Sequence, residues 1–197
     1  MSSEFKTRLA VIHGDPGGIG PELIAKLLAE DDIQARADIL LVGDRHVFAL
    51  GFAQAGHDHL LRAVKADNPE NWFDGDGFPI LELQTITPKE VALAEVTEAG
   101  GRSSLRGLDK AIDLTLAGLT DAILFGPFNK AAMHLAGMGV EDEHRYIAKY
   151  IGFDGYHSEI NMLDELITTR VTSHIGLKDV VKNISGDAVI EAIQLAN

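Results

Sequence analysis

Val11-Ile12-His13-Gly14-Asp15-Pro16-Gly17-Gly18-Ile19-Gly20-Pro21-Glu22 closes the apolar run that starts at Leu9 and opens a helical pattern that continues to Glu30. Four glycines and two prolines separate the two periodicities. A strand, a tight loop and a helix with Pro21 and Glu22 in its first turn form a recurring site-building element of α/β proteins. Glycine lets a backbone come close to a ligand or to another chain segment, and proline stiffens the loop between. A helix N-terminus also favours an anion. The loop lacks the Gly-Lys-Ser/Thr of a Walker motif, and its glycine spacing differs from the dinucleotide fingerprint. His13, Gly14, Asp15, Gly17 and Gly18 are therefore the residues expected to line a site at this loop.

Outward from that element, strand-like runs alternate with longer helical patterns. Strands are expected at 38–42, 78–83, 122–125, 160–163 and 167–173. Helices are expected at 45–55, 104–119, 129–136, 141–151 and 187–195, the last capped by Ser185. Such alternation implies βαβ units and an α/β fold with a mostly parallel sheet flanked by helices. The polar stretch 67–77 reads as a loop. The segment Ala99-Gly100-Gly101-Arg102-Ser103-Ser104 reads either as a boundary or as a loop within a site.

Bulk composition narrows the classes. The chain has 197 residues, 46% hydrophobic and 24% charged, with no cysteine. Disulfides and thiolate metal sites are thereby excluded, so a metal would need His, Asp or Glu. A net charge of −13 argues against a nucleic-acid partner and leaves room for a small anionic substrate held by local basic groups. No apolar run is long enough to span a membrane, and the N-terminus lacks the apolar region of a signal peptide, so a cytoplasmic location is expected.

A second strand-to-helix element, Asp121-Ala-Ile-Leu-Phe-Gly-Pro-Phe-Asn-Lys130, repeats the logic of the first. Open parallel sheets bind ligands beyond the carboxyl ends of their strands. Lys130 could there pair with a phosphate or carboxylate, or polarise an oxyanion; a surface salt bridge is the alternative. Asn129 is a helix N-cap or a ligand contact. His144, after the acidic run Glu141-Asp142-Glu143, and His174, expected at the end of a strand, are the next candidates. His57 and His59 read as solvated. No Gly-x-Ser-x-Gly elbow is present, and no residue is assigned a catalytic role.

In order, these elements resemble the 4-hydroxythreonine-4-phosphate dehydrogenase family. The resemblance rests on residues 14–22, on Gly126-Pro-Phe-Asn-Lys130 with Ala136-Gly137, on Gly100 to Ser104 leading into a helix, on His144 and on Thr172-Ser-His174. It implies part of a two-lobe architecture like that of isocitrate and isopropylmalate dehydrogenases, with the boundary between lobes near 100–130. It implies NAD or NADP, a divalent metal (zinc, magnesium or cobalt) with His174 as one of three histidine ligands, and a homodimer. It places His144, Arg145, Lys130 and Asn129 by the substrate, a phosphorylated hydroxy acid of pyridoxine biosynthesis. Relatives act on threonate or erythronate phosphates or on dihydrodiols.

Two departures stand out. Where the family pattern reads Gly-His-Thr-Glu, this chain has Glu143-His144-Arg145-Tyr146. A guanidinium suits a carboxylate or phosphate better than a hydroxyl does. Family members also run further, so the C-terminal portion is expected to be missing, the chain to be an N-terminal part of such an enzyme, and activity to need the rest. A non-catalytic binding module is the other expectation.

Overall fold

In the computed structural model, residues 6–173 and 175–197 are described. They fall into two compact units, one ending at Gly139 and the other running from Val140 to Asn197.

The first unit is built on five strands. These are β1 (Thr7–Ile12), β2 (Ala37–Gly43), β3 (Leu61–Val64), β4 (Phe78–Glu82) and β5 (Ala122–Phe125), in the order β3-β4-β2-β1-β5. Every pairing is parallel. β2 is buried along almost its whole length, as expected for a strand covered on both faces. Helices α1 (Gly20–Leu28), α2 (Ile33–Arg36), α3 (Arg45–Ala55) and α4 (Glu98–Leu116) make the crossovers, and α5 (Lys130–Leu135) follows β5.

Strand alternation sorts the core into two layers. Val11, Ile39, Leu41 and Ile80 face Ile24, Ala25 and Leu28 of α1 and Phe48 and Phe52 of α3. On the opposite face α4 lies across β1, β2 and β5, with Gly107 beside Ile12. At the foot of the sheet, Arg8 fixes the β1–β5 register. Its guanidinium and its main-chain N–H both donate to the Asp121 carboxylate, at 2.7 to 3.1 Å. That grip holds Asp121 below the usual carboxylate range.

Two elements of this unit depart from the sequence reading. Helix α4 starts at Glu98, not Ser104, capped by the Thr97 hydroxyl, which accepts from the Gly100 N–H at 3.0 Å. Gly100 and Gly101 thus lie in its first turn. A Cβ on Gly101 would collide with the Ala132 carbonyl, so Gly101 marks a close helix–helix crossing and not a break. Strand β3 is not expected from the sequence: it is a half-exposed edge strand whose apolar run is interrupted by Arg62. The loop after it is anchored by Trp72, buried, whose indole N–H donates to the Lys65 carbonyl at 2.7 Å.

The second unit holds α6 (Glu143–Ile151), the strands β6 (Asn161–Leu163) and β7 (Leu166–Thr168), and helices α7 (Leu177–Asn183) and α8 (Gly186–Ala196). Asp142 caps α6 and Ser185 caps α8. β6 and β7 form an antiparallel hairpin of their own and do not extend the parallel sheet. Two short runs separated by Asp164-Glu165 are close enough to fold back on each other, which period-2 patterning alone cannot distinguish from parallel strands. β7 ends at Thr168, so the strand expected to reach Ser173 stops five residues early.

Candidate functional site

The chain leaves β1 for β2 on one side, and after α4 it returns to place β5 on the other side of β1. The carboxyl ends of β1 and β5 are therefore the topological switch point, where open α/β sheets build ligand sites. Both glycine-containing turns lie there.

The 14–20 loop and the 126–127 turn are joined through their backbones. The Asp15 N–H donates to the Pro127 carbonyl and the Gly126 N–H to the Ile12 carbonyl, each at 3.0 Å. A Cβ on Gly14, Gly20 or Gly126 would strike backbone of the facing turn or of His13. The loop's amides are also spent inside the protein: Gly17 N–H on the Asp15 carboxylate at 3.1 Å, and Gly18 N–H on the Asp15 carbonyl at 3.1 Å. Ser104 of α4 donates to the Gly14 carbonyl, and the Ala94 N–H to the Gly17 carbonyl. Of the two uses of glycine, close approach of one chain segment to another is the one these contacts meet. Gly14, Asp15 and Gly17 are buried, while Gly18 is half-buried.

His13 is buried at 2% exposure, edge-on to Phe48 with ring centroids 5.4 Å apart. Its Nδ1 lies 2.8 Å from the Gly14 carbonyl, which can only accept, so Nδ1 carries the hydrogen. Burial pushes its pKa below the ordinary imidazole value of 6.5, against the opposing pull of the Gly14 carbonyl and of Asp44 and Asp15. The sign of the consequence is fixed. Below about pH 6.5 the unfolded chain binds a proton that the folded one refuses. Stability should hold above that pH and fall below it, by at most about 1.4 kcal/mol per pH unit, until the lowered native pKa is passed. Urea midpoints between neutral and mildly acidic pH check this, and His13→Gln should flatten that part of the slope.

Asp44, at the end of β2, was not singled out from the sequence, yet it is 1% exposed and carries a network. Its carboxylate accepts from the Thr85 N–H at 2.9 and 3.1 Å and from the Thr85 hydroxyl at 2.5 Å. Thr85 Oγ1 is 2.8 Å from Ser103 Oγ of α4. The available signal was positional: an acid directly after the apolar run 39–43 of β2.

On the β5 side, Asn129 Oδ1 accepts from the Ala132 N–H at 3.1 Å, so the side chain caps α5, while Lys130 is exposed. Phe125 and Phe128 stack beside them at 4.8 Å. His59 corrects the solvated reading: it lies edge-on to Phe52 and Phe78, and its Nε2 is 3.1 Å from the Ala25 carbonyl.

The second unit contains its own cavity of about 340 Å³, lined by His144, Arg145, His157, Glu159 and Arg170 among others. Asp142, nearly buried, organises it. Its Oδ1 accepts from the Arg145 N–H at 3.1 Å and lies 3.2 Å from His144 Nδ1. His157 lies edge-on to His144, centroids 5.4 Å apart, and Arg170 pairs with Glu159 at 2.9 Å. Sequence reasoning found His144 and Arg145 but not Asp142, His157, Glu159 or Arg170. His174 lies outside the described residues. Among the described residues no group of three His, Asp or Glu side chains could hold a metal ion, and no helix is long and apolar enough to cross a membrane.

Residues 35–197 match the family described as pyridoxal phosphate biosynthetic protein PdxA. A Pseudomonas aeruginosa protein, provisionally named 4-hydroxythreonine-4-phosphate dehydrogenase 2, is 42% identical over 99% of this chain and 58% of its own length. A Cupriavidus necator protein named D-threonate 4-phosphate dehydrogenase is 29% identical over 98% of this chain and 57% of its own. A solved Salmonella typhimurium structure, provisionally named 4-hydroxythreonine-4-phosphate dehydrogenase, superimposes with a TM-score of 0.83 at 28% identity, covering 98% of this chain and 59% of its own. The chain thus spans little more than half the length of the relatives it matches.

Proposed function

This chain belongs to the PdxA family, and on that premise we propose that it contributes to an NAD- or NADP-dependent, metal-assisted dehydrogenase for a small phosphorylated hydroxy acid. The reaction class is oxidation of a substrate hydroxyl, with decarboxylation following. The observation that carries the reading is the meeting of the 14–20 loop and the 126–130 turn at the switch point of a parallel sheet.

In the first unit Lys130, exposed at the start of α5, is placed by the substrate, while Asn129 fixes the helix that carries it. His13, Gly14, Asp15, Gly17 and Gly18 shape and stiffen the turn from beneath. In the second unit His144, oriented by Asp142, and Arg145 contact substrate. The described residues do not assemble a metal site by themselves, and no step is derived through the metal or the nicotinamide. In this proposal His174 and the part of the relatives' length beyond this chain's span complete those sites. A homodimer in the cytoplasm belongs to the same reading.

The test is turnover by the protein expressed from its complete reading frame. NADH or NADPH should form from 4-hydroxythreonine 4-phosphate or D-threonate 4-phosphate, stop on chelation and return with a divalent metal. Absence of turnover with both compounds, under every metal tried, would sink the reading.

A further inference from the structure

We propose that the cavity between strand β3 and the loop that follows it is a site for a small oxyanion, phosphate or carboxylate, held by Arg62 and Lys65; the proposal is independent of the dehydrogenase reading. Six of the chain's eight arginines, Arg8, Arg36, Arg45, Arg102, Arg145 and Arg170, pair with a carboxylate. Arg106 is exposed, where water solvates the charge. Arg62 is half-buried and, among the described residues, has no carboxylate partner. One of its terminal nitrogens donates to the Trp72 carbonyl at 2.6 Å. Its Nε is buried with no hydrogen-bond partner. A buried donor left unpaired is costly, and in folded proteins nearly all such groups are met by protein, water or a bound ion.

Arg62 lines a cavity of about 220 Å³ together with Lys65, Asn68, Asn71 and Trp72. Both charged groups in that lining are cations, and the two asparagines add amide donors. The acids of the same loop, Asp67, Glu70, Asp74 and Asp76, are not part of it. The wall is fixed from within. The Lys65 carbonyl accepts from the Trp72 indole at 2.7 Å and from the Asn68 N–H at 3.3 Å, and the Trp72 N–H donates to the Pro69 carbonyl at 3.3 Å. The volume falls below the roughly 300 Å³ at which pockets for drug-sized ligands begin, which selects a compact ion. A guanidinium fork meets two oxygens of a phosphate or carboxylate at once, and a lysine adds a point charge. In a protein of net charge −13 these local cations, and not the overall field, would draw the anion. β3 is an edge strand separated from β1 by β4 and β2, so this site is not the one at the switch point.

Trp72 is the single tryptophan and lines the cavity, so its fluorescence reads occupancy directly. Inorganic phosphate titrated into the 197-residue chain, against chloride at constant ionic strength, should give a saturable change. Arg62→Gln should weaken the apparent Kd by about tenfold or more, the loss expected when a charged hydrogen-bond donor is removed. Lys65→Gln, at an exposed position, should weaken it by about two- to fivefold. Should Arg62→Gln fail to fold, Arg62→Lys keeps the charge, loses the fork and should still weaken binding. Acetate in place of phosphate tells the two oxyanions apart: saturation by either supports the site, and the tighter one names its shape. A response that chloride reproduces, or none with phosphate and acetate alike, overturns the inference and leaves water as the partner of Nε. A saturable response that neither the Arg62 variants nor Lys65→Gln weaken puts the anion elsewhere and overturns it too.

Discussion

Gly14→Ala is expected to destabilise the first unit by about 3 kcal/mol, through two separable costs. Gly14 has φ +78°, a left-handed conformation that charges an alanine about 1 kcal/mol. Its new Cβ would also press on the carbonyls of Gly126 and Pro127, where neither partner can yield because both belong to the turn that closes the switch point. Overpacking against fixed backbone adds about 2 kcal/mol. Gly56→Ala supplies the control. Gly56 has φ +72° at the end of α3 but nothing within 4 Å of a Cβ, so only the conformational cost of about 1 kcal/mol applies. Trp72, the single tryptophan and 1% exposed, reports unfolding of this unit by fluorescence. Equal shifts of the urea midpoint in the two variants would show that the two turns are not welded as described.

Asp44→Ala is expected to cost about 3 kcal/mol, since hydrogen bonds to a charged acceptor are the strong ones and their loss leaves donors stranded. The consequence reaches beyond the carboxylate. Gln84, next to Thr85, is held at φ +57°, an uncommon conformation for a residue with a side chain. Asp44 and Ser103 grip Thr85 from β2 and α4 and keep the chain in that turn. Without Asp44 the segment from 84 to 97, which also donates from Ala94 to the Gly17 carbonyl, loses its anchor. Faster amide exchange across 84–97 should accompany the loss of stability. A double-mutant cycle of Asp44→Ala with Thr85→Val should give a coupling of about 1 kcal/mol or more. Simple additivity would mean that the network holds nothing in common.

What could be read from the sequence is what neighbouring residues decide among themselves. The turn from apolar alternation to helical spacing at Ile12, the extent of α3 and the strand 122–125 follow from periodicity. Asn129 as a cap and Ser185 as another follow from the preference of short polar side chains for the amide three residues on. The parallel sheet follows from the alternation of the elements. Family membership rests on the order of motifs, and Arg145 is visible as a departure within one of them.

Tertiary structure decided the rest, because the groups concerned meet across long stretches of chain. The purpose of Gly14 is set by a turn more than a hundred residues away, and that of Gly101 by the Ala132 carbonyl. The Ser104 hydroxyl finds the Gly14 carbonyl across 90 positions, and Arg8 finds Asp121 across 113. Asp44 looks like an ordinary helix-start acid until the fold brings Thr85 and Ser103 to it. The 160–168 hairpin reads as two strands in either case, and only pairing fixed their direction. Hydrophobic spacing and caps act within a turn or two of the backbone and are written locally; close packing and buried polar partnerships depend on which segments the sheet order makes neighbours.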